Sequence, residues 1–207
     1  MPTQISHIVL ANKVYTKFFS GRSRKEFFIG SIFPDIRILK TITRKETHFT
    51  EIKMCELLQV NDFIAGIKFH SIIDLLRDQY IKDNNIFALC PKSKYRELAL
   101  KILEEQVLYS KIDDWSEYIS YLDDILPGEQ AFRISDKKIK KWHTLLQQHF
   151  AKQPSQVTEV EFMSGLGYSS EVIYEINKTV KIMLAKPEIV SSINDLYNNF
   201  ETLIYGK

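Results

Sequence analysis

Turn-forming residues are scarce in this chain. Seven glycines and six prolines among 207 residues are about half of average usage. An all-β sandwich needs many turns, so the shortage leans the fold towards helices. Cysteine is rarer still: Cys55 and Cys90 stand alone, with no Cys-x-x-Cys spacing. That excludes a disulfide framework and a thiolate zinc site as the basis of the fold. No apolar run approaches the ~18 residues of a membrane span. The opening stretch, MPTQISHIVLANKVYTKFF, lacks the basic start and long apolar segment of a signal peptide, so a cytoplasmic protein is expected. A charge excess is also missing. The 28 Lys and Arg against 26 Asp and Glu leave +2, which gives no footprint for a nucleic-acid partner. Neither a Gly-x-Ser-x-Gly elbow nor a P-loop occurs.

What is present is a core and a set of histidines. Hydrophobic residues make up 44% and aromatics 12%, enough for one sizeable domain. With no linker or repeat visible, we expect a single all-α domain over 1–207, a multi-helix bundle. The spacing predicts helices over 5–19, 24–32, from about Thr47 or Thr50 to Val60, 63–82, 93–110, 115–126, 135–151, 169–185 and 187–204. Pro127-Gly128 reads as a turn. Asp62 reads as the N-cap of the 63–82 helix. That helix is apolar nearly all round, which predicts a central, buried position. Its polar residues, His70, Asp74, Arg77 and Asp78, should then lie inside or line a cavity.

His70 and Asp74 are four residues apart, so on a helix they project from one face a turn apart. An imidazole and a carboxylate so placed can bind one divalent cation, and zinc, iron, manganese and nickel all suit them. A plain His–Asp hydrogen bond is the default explanation of such a pair, and Arg77 is an alternative source of charge for Asp74. His7 on the apolar stripe of its helix reads as a core histidine. Asp35 after Pro34 reads as a turn residue, and His48 in a polar connection as a surface residue. Together, however, His7, Asp35, His48, His70 and Asp74 place five potential ligands within 68 residues.

The order His7, then Gly30-Ser31-Ile32-Phe33-Pro34-Asp35, then Thr47-His48, then Gly66 followed by His70 and Asp74, resembles the zinc-dependent phospholipase C and P1-type nuclease superfamily. The resemblance covers residues 5–82. It implies an all-α fold of that type, and hydrolysis of phosphoester bonds at a metal cluster, with a small phosphoester or a lipid headgroup as substrate. Asp35, His48, His70 and Asp74 match the ligands of one metal, and Asp74 would bridge to a second that also takes His7. The implied cofactor is therefore two divalent ions, zinc above all. Asp35 would also orient or deprotonate the attacking water. Similarity to acyl-carrier-protein phosphodiesterases, from Gly66 through His70, Asp74 and Asp78, is shorter and points to the same chemistry. The adjacent His-Asp pair of the HD phosphohydrolases is absent.

The chain also departs from the family. It opens Met1-Pro2, six residues before His7, where trinuclear members carry an N-terminal Trp. The family's His-x-x-x-Glu is met here by His143 and Gln147, which lacks a carboxylate. His143 and His149 therefore read as ordinary helix residues. Glu105, beside the stripe of Leu98, Ile102 and Tyr109, is a replacement ligand if it points inward. The metal-site half is thus 1–110, and 111–207 is a helical remainder. The run Lys137-Lys138-Ile139-Lys140-Lys141 reads as a solvated helix face. The alternative function is a non-catalytic relative, keeping a structural metal or a polar core and acting through helical surfaces.

Overall fold

The computed structural model describes residues 3–205, and among them there is helix and no strand. Helices α1 (Gln4–Phe18) and α2 (Arg24–Ile32) lead into a 3-10 segment, Phe33–Leu39. Two one-turn helices, α3 (Arg44–Thr47) and α4 (Met54–Leu57), precede the long α5 (Asp62–Asp83). Then follow α6 (Ile86–Leu89), α7 (Arg96–Leu108), α8 (Ser116–Tyr121), α9 (Pro127–Gln130) and α10 (Asp136–Phe150). The chain ends with α11 (Gln156–Gly165), α12 (Ser170–Leu184) and α13 (Pro187–Tyr205). No helix among the described residues is long and apolar enough to cross a membrane.

The all-α expectation holds, and α5 is central. Phe69, Ile73 and Ala65 on it are fully buried, as are His70 and, nearly so, Arg77 and Asp74. Its closest neighbour is α2. Gly30 and Gly66 face each other where the two cross, and a Cβ on either would run into the other helix's backbone, at Phe63 O or Phe27 O. Two glycines here let the backbones approach closely enough for a side chain of α5 to reach a carbonyl of α2. Aromatic rings fill the space around this crossing, Phe19 lying 4.4 Å from Phe27 and 5.3 Å from Phe69 between centroids.

Several local expectations need correction. Asn61, not Asp62, caps α5: its Oδ1 accepts from Ile64 N at 2.9 Å. Asp62 is drawn instead to Arg22 Nη1 at 2.8 Å and Ser23 N at 2.7 Å, an ion pair that outcompetes the cap. Pro127-Gly128 opens a helical turn rather than a plain turn, with proline where its missing N–H costs nothing. The helix expected up to Val60 is the single turn α4. Helix α11 fills the stretch 156–165, where no element is expected from the sequence.

Candidate metal centre

The site is built on the α2–α5 crossing. Ser31 lies in the last turn of α2, where carbonyls lack partners within the helix. His70 Nδ1, one helix away, donates to Ser31 O at 2.8 Å. Since a carbonyl only accepts, this bond puts the ring proton on Nδ1. It leaves the lone pair on Nε2, the tautomer a metal ligand needs. His70 Nε2 stands 3.3 Å from His48 Nε2 and 3.7 Å from Asp74 Oδ2. His48 Nε2 is 3.6 Å from Asp74 Oδ2, and His7 Nε2 is 3.5 Å from Asp74 Oδ1.

Those separations are too long for good hydrogen bonds. They match the spacing of donors that share an ion: metal bonds of about 2.0–2.1 Å in a tetrahedron put neighbouring ligands roughly 3.4 Å apart. The ring planes agree with this. His7 stacks on His70 at 3.8 Å and 10°, while His48 meets His70 nearly at right angles, 87°. His7 is fully buried, and neither of its nitrogens has a hydrogen-bond partner among the described residues. A buried imidazole that faces a carboxylate without a close hydrogen bond is costly, and its geometry suits metal ligation. His7, His70 and Asp74 each bring one ligand atom to within 4.8 Å of the others.

The protonation states suit ligation. Burial, with His7 beside it, pushes the His70 imidazole well below its usual range. Burial and the Arg44 guanidinium push His48 down to about 4. Asp74 is held below the ordinary carboxylate value, burial working upwards and His70 and His7 outweighing it. Two neutral imidazoles and a carboxylate are what a divalent ion requires.

A cavity of about 390 Å³ is bordered by Arg44, Lys45, His48, Phe49, Asp74 and Asp78. Arg44 Nη2 is 3.6 Å from Asp74 Oδ2, and its side chain remains 55% exposed. Arg77 does not serve Asp74. It is held by Glu104 through three hydrogen bonds of 2.7–3.0 Å and by Asp78 at 2.9 Å.

Asp35 lies close by but opens elsewhere. It is buried; its Oδ2 accepts from Gln4 Nε2 at 2.7 Å, and its Oδ1 has no hydrogen-bond partner among the described residues. Arg37 Nη2 is 3.8 Å from that Oδ1. Burial raises the Asp35 carboxyl, with His7 opposing and Asp74 adding to the rise. Asp35 lines a second cavity of about 350 Å³, which Glu105 also lines. Glu105 does point inward, as the replacement-ligand reading requires, but its partners are Ile5 N at 3.0 Å and His149 Nε2 at 2.9 Å. It groups with His149 and Glu159 rather than with His70.

His48, expected at the surface, has a side chain only 6% exposed. His143 and His149 are likewise not ordinary helix residues: both are buried against carboxylates. No sequence spacing signals these pairs, because Glu129, Glu105 and Glu159 each come from a different helix. No protein-family model, curated protein or solved structure matches the chain.

Proposed function

We propose that this protein is a metal-dependent phosphoester hydrolase of the phospholipase C and P1 nuclease type. The observation that carries the reading is His7, a fully buried imidazole whose nitrogens have no hydrogen-bond partner among the described residues, stacked on His70 and 3.5 Å from Asp74 Oδ1. His7, His48, His70 and Asp74 would hold the ion. Bound there, a divalent metal would supply Lewis acidity and lower the pKa of a water to ~7. Ser31 keeps His70 in the ligating tautomer. Arg44 and Lys45 line the open cavity and would bind the phosphate oxygens of a small phosphoester or a lipid headgroup, Arg44 with the forked geometry a phosphate prefers. Asp35 would accept a proton from the attacking water at Oδ1, the oxygen that Gln4 does not engage.

Metal content and turnover test this together. Purified protein is expected to retain zinc, iron, manganese or nickel, and His70→Ala is expected to lose it. An activated aryl phosphodiester should be cleaved by the metal-loaded chain and not by Asp35→Asn. Protein that binds none of these metals, and whose stability is unchanged in chelator, would sink the reading. One observation favours the non-catalytic relative: Asp35 lines a different cavity from His48 and Asp74. Metal-dependent cleavage that disappears in Asp35→Asn rules that alternative out.

A further inference from the structure

A second cluster lies where α7, α10 and α11 meet. Glu105, His149 and Glu159 come one from each helix, and all three are buried, Glu159 to 1% exposure. Each brings a ligand atom to within 4.8 Å of the other two. Glu105 has structural partners on both oxygens: Oε1 accepts from Ile5 N, in the first turn of α1, and Oε2 from His149 Nε2. Those bonds account for Glu105 and for one nitrogen of His149. They leave His149 Nδ1 and Glu159 Oε1 buried with no hydrogen-bond partner among the described residues. Phe162 stacks on His149 at 3.9 Å and 9° and fixes the plane of the ring.

A second carboxylate buried against a first is expensive unless a proton or a cation neutralises it. Burial and the charge of Glu105 push the Glu159 carboxyl well above its usual range. The neighbouring Glu104 shows the other solution: there the protein supplies its own cation, Arg77, in a closed, fully hydrogen-bonded pair. The Glu159 cluster is not closed in this way. Glu105 and Glu159 line the 350 Å³ cavity, and His149 borders another of about 440 Å³. A small ion has a route in.

We propose that Glu105, His149 and Glu159 form a second binding site for a divalent transition-metal ion, distinct from the centre at His70 and Asp74. Two carboxylates with one imidazole suit manganese, iron(II) or zinc, whereas an imidazole is a poor ligand for magnesium or calcium. The ion takes over the neutralising role of a proton between the two adjacent buried carboxyls, and it gives Glu159 Oε1 a partner. It ties α11 to α7 and, through Glu105 and Ile5 N, to the start of α1.

The test uses the full chain, stripped with chelator and reloaded with zinc or manganese. Anomalous diffraction at the metal edge is expected to show a peak between Glu105, His149 and Glu159. In equilibrium dialysis Glu159→Gln should bind one ion per chain fewer than the unmodified protein. Asp74→Asn should lose a different ion, so that the double variant loses both. In chelator, Glu159→Gln should melt no lower than the unmodified chain, which separates a lost site from a lost fold. If that variant does not fold, the anomalous map of the unmodified protein decides alone. A peak near Asp74 with none near Glu159, or unchanged stoichiometry in Glu159→Gln, overturns this proposal and leaves the hydrolase reading standing. A peak near Glu159 with none near Asp74 does the reverse.

Discussion

His143 and His149 sit six residues apart on the same helix, α10, and each is buried against a glutamate, yet their surroundings differ in kind. His143 donates to Leu122 O at 3.0 Å and meets Glu129 Oε1 at 2.8 Å. Glu129 Oε2 in turn accepts from Leu126 N at 2.8 Å. Every polar atom of that pair is used. His149 meets Glu105, but its Nδ1 and the nearby Glu159 Oε1 have no hydrogen-bond partner among the described residues. The same holds for the two ring nitrogens of His7. Proximity of a histidine to a carboxylate therefore distinguishes little; the count of satisfied atoms separates a structural pair from a ligand set.

The largest expected effect falls on the closed pair. Glu129→Ala removes the partner of His143 and the acceptor of Leu126 N in a fully buried place. Breaking a buried pair typically costs about 3–5 kcal/mol, so a denaturant midpoint well below that of the unmodified chain is expected. Its metal content per folded chain should not change. A Glu129→Ala protein of full stability, or one short of a metal, would erase the distinction between the two histidines.

The fold was legible in the sequence because its signals are local. The all-round apolar run of 63–82 gave a central helix, and the amphipathic spacing of 187–204 matches α13. His70 and Asp74 were legible for the same reason, being neighbours on one helix. His7 and His48 carried no local signal beyond their place in an ordered set, and the resemblance supplied their grouping. Glu159 was invisible: it sits in a segment with weak periodicity, and its partners lie 54 and 10 positions away on other helices. Arg77 illustrates a related limit. Three residues from Asp74, it is one candidate for that carboxylate's counter-ion, but α7 brings Glu104 within 2.7 Å and takes the guanidinium. Local spacing gives candidates for a contact, and tertiary packing chooses among them.

A metal should stabilise the open clusters and leave the closed pair untouched. Zinc at a hundredfold excess over its dissociation constant is expected to add about 2.7 kcal/mol per occupied site. Thermal melts with and without chelator measure it. Asp74→Asn should forfeit the share of the first centre, while His143→Gln, though less stable at the outset, should keep the full increment. An increment that disappears in His143→Gln would place that residue among the ligands and break the comparison.

The smallest expected effect on the fold belongs to Arg44, and that smallness is its use. Its side chain is half exposed at the mouth of the cavity, 3.6 Å from Asp74 Oδ2. Substitution at such a surface position changes stability by no more than about 0.5 kcal/mol, so Arg44→Ala should melt with the unmodified chain and retain its metal. A hydrogen bond from a charged donor to a phosphate contributes about 1.5–3 kcal/mol, so its loss should lower kcat/KM for a phosphodiester roughly tenfold or more. The loss should appear mainly in KM, because the guanidinium is placed to bind the phosphate rather than to move a proton. Arg44→Lys keeps the charge but not the fork, and should recover only part of the affinity. Full activity in Arg44→Ala would mean that phosphate approaches from the Asp35 cavity instead, which would reassign the substrate entrance from the His48 side to the Glu105 side.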